Sequence, residues 1–462
     1  MSFVALPFYG WLAAALAVFY LTPGRWRPAC LLAISCAFYL AASPGYFVLL
    51  VAQTAIAYGG GLALAGAKTD RARQVWLVAS LIPILGALSF LKVEGTLVGL
   101  LMPLGVSYYT FKIIAYLVEV YWDEGQVQRR PIAFAAFVAF APQMVSGPIQ
   151  RPFDFFPQLV TVGTGVFDPV LFEAGWFAIL RGLLLKLLIG DRLGAFIAVV
   201  DAAPERYNYA VLATLAACYL LQLYADFAGY TLIAIGIGRL FGIESPPNFN
   251  APFAAADIQD FWRRWHMSLT TWIADYVFMP LRMAVRGMGQ AGLVLSLMVS
   301  MVLIGLWHAL TLPYLVYGVI QGVYMSASAL IKPYRERLVG RSRAFALPAH
   351  LLGIIIVFLL MTFSQLFWQA HSLQAGWLHV RLLFGVTPAG GLGFGDIRTE
   401  IADPVFACMA IAFYHGAGAP GFAWLMRPVG RFVPAWAVGG FALLLLAALT
   451  PMTGGSFIYG QF

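Results

Sequence analysis

Long apolar runs separated by short polar, mostly basic stretches make up most of the chain. They lie near residues 3–21, 28–42, 45–66, 74–91, 99–121, 131–149, 168–190, 206–241, 291–309, 313–331, 347–369, 401–418 and 433–450. Most hold about 17–25 residues, the length a helix needs to cross the hydrocarbon of a bilayer. The short alternating segments of an outer-membrane barrel are missing. In lipid a helix satisfies its own backbone polar groups, so the pattern predicts an all-α polytopic transmembrane bundle of about 11–13 membrane helices, re-entrant ones included. The first run lacks a basic leading region and a small-residue cleavage site, and is expected to be a retained transmembrane helix.

Charge gives the runs a direction. Basic clusters follow at Arg25 and Arg27, at Lys68, Arg71 and Arg73, at Arg129 and Arg130, from Lys332 to Arg343, and at Arg427 and Arg431. Cytoplasmic loops carry the excess of lysine and arginine, which puts the N-terminus outside the cytoplasm and Asp396, Glu400 and Asp403 on the outer face. The crossings between the basic loops near 70 and 335 must be even in number, yet the runs there are odd. At least one must be re-entrant, or a long one such as 206–241 must break. Irregular backbone at membrane depth needs protein or a water-filled cavity around it.

Composition agrees. Of 462 residues, 61% are hydrophobic and 10% charged, against about 25% charged in a soluble domain. The positive-inside pattern explains the net charge of +8, so nucleic acid is not an expected partner. Cys30, Cys36, Cys218 and Cys408 lie singly in apolar stretches and are expected to be packing residues, with no metal site. No internal repeat or separate soluble stretch stands out, so residues 1–462 are expected to form one transmembrane domain.

One region differs in kind. About 256–286 mixes Trp262, Trp265 and Trp272 with Asp260, Arg263, Arg264 and Asp275. It is too polar to span and predicts an amphipathic interfacial helix. Asp257 can cap its start, with Asp260 favoured by the helix dipole. Arg263 and Arg264 are expected to meet anionic groups, either lipid head groups or donor phosphates.

The candidate chemistry rests on two histidines, His266 in DFWRRWHMSL and His308 in LIGLWHALTLP. An imidazole in apolar surroundings needs a partner or a task, and histidine is the side chain best suited to moving a proton near neutral pH. The two meet only if the interfacial helix folds back against the bundle. Asp226, in QLYADFAGY with Tyr224 and Tyr230, is costly unless paired; it can orient a histidine or pair with Arg239. GxSxG, HExxH and P-loop motifs are absent, which argues against the familiar serine hydrolase, zinc protease and nucleotide-driven pump. A buried base can instead take the proton from a hydroxyl as it attacks a thioester, an assistance typically of about 10²–10⁴-fold.

The chain resembles the membrane-bound O-acyltransferase family, in its bacterial alginate O-acetyltransferase and D-alanyl-transferase branch. The resemblance rests on PLGVSYYTFKIIAYLVEVYW (103–122), FAPQMVSGPIQRPFDFFPQL (140–159), LYADFAGYTLIAIGIGRLFGI (223–243), NFNAPF (248–253), DFWRRWHMSLTTWIADYVFMPL (260–281), GLWHA (305–309) and FIYGQF (457–462), in family order. It implies a ring of helices around a central catalytic tunnel. It implies His308 as general base, His266 in support, and Trp307, Trp265, Arg263, Arg264, Asn250, Asp226, Tyr224 and Gln143 as substrate-binding residues. No tightly bound cofactor is implied. The acyl donor is a cytoplasmic thioester, acetyl-CoA or an acyl carrier. The acceptor is an extracytoplasmic polysaccharide hydroxyl or a partner protein that modifies it, with D-alanyl transfer to teichoic acid or peptidoglycan as the alternative. The location implied is the cytoplasmic (inner) membrane of a bacterium. Two departures bear on the acceptor and partner: MAVRGMG (283–289) stands where relatives are glycine-rich, and Ala309 and Gln321-Gly322 replace glycine and histidine-glycine.

Two readings from other classes compete. A proton-coupled transporter with His308 and Asp226 on its path fits the composition, but symmetric halves are absent. A non-catalytic scaffold of a secretion complex has no need of a core histidine.

Overall fold

The computed structural model describes residues 3–98, 103–339, 343–396 and 411. The runs near 401–418 (Ile411 apart) and 433–450, with Glu400, Asp403, Cys408 and the FIYGQF end, lie outside these, as does Arg341. Among the described residues helix dominates, and the β-structure is one isolated bridge between Tyr207 and Leu392. Six helices there are long and apolar enough to cross a membrane. This is a multi-pass, all-α membrane protein. It divides into two compact units, one chiefly Met1–Gly182 with Tyr230–Pro247, the other Leu183–Gly229 with Asn248–Ile458.

The first unit opens with four helices, α1 (Leu6–Leu21), α2 (Arg27–Ala42), α3 (Phe47–Gly66) and α4 (Asp70–Val98), followed by α5 (Val106–Trp122). Arg73 at the α3–α4 turn donates to the Tyr121 carbonyl at 2.6 Å and pairs with Glu124, which ties that turn to the end of α5. The run near 131–149 does not form one helix. It gives α6 (Pro131–Ala139) and α7 (Ala141–Ser146), broken at Phe140, and α8 (Pro152–Thr164) follows. Nine and six helical residues reach about 22 Å, short of a crossing. Gly165, just after α8, packs on Gly24 in the α1–α2 turn, where an added Cβ would stand 2.6 Å from backbone. The segment 131–164 therefore leaves and returns at one end of the unit, the end of the α1–α2 and α3–α4 turns. In the same unit α9 (Pro169–Leu183) packs closely on later chain through Gly175 and Gly236, with no room for a side chain at either.

A π-helical stretch, Leu184–Gly190, leads from α9 into α10 (Asp191–Asp201), and α11 (Tyr209–Leu240) follows. The expectation that 206–241 might break is corrected: α11 runs unbroken for 32 residues. The expected single interfacial helix is corrected too. It is α12 (Ile258–Arg264), α13 (Met267–Ile273), a π stretch Ala274–Phe278, and α14 (Met279–Ala284). The break falls at His266, whose φ of 43° is left-handed. The predicted cap forms, with Asp257 accepting from the Asp260 N–H at 2.8 Å.

The second unit closes with α15 (Gly289–His308), α16 (Leu312–Val339), α17 (Arg343–Trp368) and α18 (Leu373–Leu383). Glycine allows α15 and α16 to touch along their backbones. A Cβ on Gly305 would collide with the Tyr314 carbonyl, and one on Gly318 would lie 2.9 Å from the Met301 carbonyl. Such small-residue contacts replace the hydrophobic drive that lipid removes. Arg335 of α16 pairs with Asp257 at 2.6 Å, holding the start of α12. His379 of α18 contacts two acceptors, the Asp201 carboxylate at 2.9 Å and the Ala375 carbonyl at 3.0 Å; Tyr219 also donates to Asp201. Two acceptors on one imidazole call for both ring nitrogens to carry protons.

Candidate functional site

His308 is the last residue of α15 and is 5% exposed. Aromatic rings surround it. Trp307 and Trp368 lie edge-on at 4.4 and 4.3 Å between centroids, and Tyr314 stacks at 6.3 Å. Tyr317 braces the Trp368 indole at 4.9 Å. The close α15–α16 approach at Gly305 and Gly318 holds Tyr314 near the ring, and α17 brings Trp368 to it.

His266 also approaches Trp307, with centroids 6.2 Å apart. The interfacial segment does fold back, and both histidines lie against one indole. The left-handed backbone that makes this possible is uncommon outside glycine, asparagine, aspartate and histidine, and strain of about 1–3 kcal/mol at such a residue marks a conformation its surroundings impose. The ring is buried, with Phe227 edge-on at 4.7 Å.

Its tautomer follows from its neighbours. The Asn248 side-chain oxygen accepts from the Ser268 N–H at 3.2 Å and the Ser268 hydroxyl at 2.7 Å. A backbone N–H can only donate, so that atom is the amide oxygen. His266 Nδ1, 3.2 Å from the same oxygen, must donate too. Nε2 is then the acceptor nitrogen. Burial pushes the His266 imidazolium down to about 3, so the ring is neutral near pH 7.

The other expected binding residues separate into groups. Trp265 is buried against Phe261 (5.4 Å), Phe249 (5.2 Å) and Tyr224 (6.1 Å). Tyr224 also meets Phe253, so the NFNAPF loop, α11 and the α12–α13 break form one aromatic cluster. Asn250 has an exposed side chain and joins the cluster by backbone, its N–H donating to the Arg264 carbonyl. Arg264 and Arg263 pair with Asp260 at 2.9 and 3.5 Å. Arg263 keeps 60% side-chain exposure.

Asp226 is 1% exposed and pairs with Lys186, which also holds Asp191 at 2.6 Å. The expectation of Arg239 as its partner is corrected. On an unbroken helix thirteen residues span about 20 Å, out of reach, and Arg239 instead pairs with Glu244. Sequence reasoning passed over Lys186, although a single lysine within LLLKLL is itself a signal, because an ammonium in an apolar run demands a counter-ion.

Gln143 belongs to the first unit. Its amide oxygen accepts from Lys112 at 2.7 Å, and its nitrogen donates to Gln150 and, at 2.8 Å, to Ser245. Lys112 also donates to the Phe137 carbonyl and lies over the Phe137 ring. These bonds pin the break between α6 and α7. Lys112 was likewise legible as a lone charge in an apolar run.

A family model for membrane-bound O-acyltransferases matches residues 123–368. The chain is 30% identical over 429 residues to the probable alginate O-acetylase of Pseudomonas aeruginosa, covering 86% of this chain and 78% of that one. It is 26% identical over 408 residues to the peptidoglycan O-acetyltransferase of Helicobacter pylori, 79% of this chain and 75% of that one. It is 32% identical over 250 residues to the teichoic acid D-alanyltransferase of Bacillus subtilis, 51% and 60% of the two chains. The matched region holds His266, His308 and the aromatic cluster between them, and with these relatives it makes the chain an enzyme of acyl transfer, a member of the membrane-bound O-acyltransferase family.

Proposed function

We propose that the chain moves an acyl group, acetyl by preference, from a cytoplasmic thioester to a hydroxyl of an extracytoplasmic polysaccharide, or of a partner protein that modifies one. The observation carrying this reading is the convergence of His266 and His308 on Trp307 within a membrane bundle. In the proposed reaction His308 takes the proton of the acceptor hydroxyl as its oxygen attacks the thioester carbonyl. The carbon–sulfur bond breaks as the tetrahedral intermediate collapses, and the thiolate takes the proton back from His308. No covalent enzyme intermediate is needed. His266, neutral with Nε2 as its acceptor, supports the site and does not carry charge. Acetyl is favoured over D-alanyl because the likeness to the acetylase extends over more of both chains than that to the D-alanyltransferase.

The basic turns at Arg25 and Arg27 and at Arg71 and Arg73 support an outside N-terminus and a cytoplasmic (inner) membrane setting. The test is His308→Ala: normal membrane insertion with complete loss of acyl groups on the cell-envelope polymer, measured by mass spectrometry. An undiminished acyl content would refute the base assignment.

A further inference from the structure

The first unit holds an open groove of about 890 Å³ where α8, α9 and the end of α11 meet. Helices α9 and α11 touch at Gly175 and Gly236, and the groove runs beside that contact. Leu171, Ala174 and Phe177 lie on successive turns of one wall, with Leu232 and Ile235 on the other. At 1.5 Å per residue this apolar floor is about 9 Å long. A smaller cavity of about 80 Å³ adjoins the groove at Thr161, Asp168 and Arg239 and reaches back to Arg27 at the start of α2.

The charged residues gather at one end. Arg27, Arg239, Asp154, Asp168 and Glu244 line the mouth, and Arg181 lies further along α9. Among the described residues that is three of each sign, so the groove is charged but neutral in sum. Arg27 is 8% exposed, and no carboxylate pairs with it among the described residues. Its Nε and one Nη donate to the Thr22 and Tyr20 carbonyls, both at 3.3 Å, and it lies over the Phe19 and Tyr20 rings. A guanidinium has five N–H donors, so these two bonds leave donors that the cavity can meet. A buried cation without a counter-ion is costly, which calls for an anion there. Carboxylates stand close by. Glu244 accepts from Arg239 at 2.8 Å and is itself largely exposed. Asp168 caps α9, accepting from the Val170 and Leu171 N–H groups through Oδ1 alone, which leaves Oδ2 outside the cap.

We propose that the groove binds one zwitterionic phospholipid bearing a primary ammonium, of the phosphatidylethanolamine type, from the leaflet at the α1–α2 turn. Its phosphate sits with Arg27 and Arg239, its ammonium with Asp168 and Glu244, and one acyl chain lies along Leu171, Ala174, Phe177 and Ile235. Basic pockets between membrane helices hold lipid phosphates. The matching carboxylates set the selectivity, because they repel an anionic head group or a polyanionic nucleotide. A choline head group has no N–H to offer them. The site is independent of the acyl-transfer reading, since none of these residues belongs to the histidine cluster.

The test is native mass spectrometry of the full-length chain, stripped of lipid in detergent and titrated with dioleoyl phosphatidylethanolamine, phosphatidylglycerol or phosphatidylcholine. One phosphatidylethanolamine is expected to bind at least about tenfold more tightly than either of the others. Arg239→Gln should weaken it about tenfold. Asp168→Asn keeps the helix cap, because asparagine caps as well as aspartate, and should bring phosphatidylglycerol level with phosphatidylethanolamine. Thermal midpoints of both variants near that of the unsubstituted chain show that the fold is kept. Equal binding of the three lipids, a preference for phosphatidylglycerol, or affinities untouched by both substitutions would overturn the proposal. Displacement of the bound lipid by millimolar inorganic phosphate or acetyl-CoA would overturn it too, marking a site for a free phosphate or for the donor.

Discussion

The Asn248 side-chain oxygen, 3.2 Å from His266 Nδ1, decides which nitrogen of that ring holds the lone pair. Two donors from Ser268 fix the oxygen in turn. Asn248→Ala removes all three bonds at once and frees the ring to change tautomer. A misplaced site group can lower turnover about 10²-fold. We expect a loss of that order in kcat, with the fold retained. Turnover within twofold of the unsubstituted chain would show that the tautomer is immaterial.

His266 itself bears backbone strain, and His266→Gly relieves it while deleting the ring. The expected result is a chain at least as resistant to heat but poorly active. Reduced stability together with full activity would reverse this assignment of the strain.

Asp226 and Lys186 form an ion pair sealed from solvent, with Asp191 beside them. Removing one partner of a buried pair typically costs about 3–5 kcal/mol. Asp226→Ala should therefore lower the thermal midpoint in detergent sharply. The double variant Asp226→Leu with Lys186→Met should recover part of the loss. A double variant that loses as much stability as the two single changes added together would show that the charges are not coupled.

Gly305→Ala places a methyl group against the Tyr314 carbonyl. Overpacking of this kind typically costs about 1–3 kcal/mol. Because Tyr314 stacks on His308, the displacement should also reduce turnover. Gly287→Ala, where an added Cβ meets nothing, is the control expected to change neither.

His379 supplies a pH dependence. Burial alone pulls its imidazolium down, but the hydrogen bond to Asp201, the Ala375 carbonyl and the aspartate charge outweigh it, and the net shift is upward. A raised folded value means that the stabilisation is full below the ordinary histidine value of about 6.5 and is lost as pH rises through the folded one. The thermal midpoint should fall over that upward window, and His379→Gln should flatten the fall. A profile unchanged by the substitution would show that the ring does not titrate there.

The sequence made the class, the helix-rich architecture and the position of most chemical residues legible, because lipid demands long apolar helices and penalises every stray charge. The capping of α12 by Asp257 was visible for the same local reason. The fragmentation of 256–286 was not. Its first break is the left-handed backbone at His266, held where His266, Met267 and Ser268 all bond to Asn248, and not by any glycine or proline. Arg239, on the same helix, is out of reach of Asp226, and the lysine that pairs with it comes from another element, which local sequence does not reveal.

The turn joining α7 to α8 lies inside the protein, every residue from Ser146 to Arg151 being buried. A hydropathy trace would mark it as a natural place for an epitope tag or reporter. Insertion there would instead push a foreign peptide into the interior, where Gln150 and Gln143 hold each other. Silence from a reporter at this site would record a damaged protein and carry no information about sidedness.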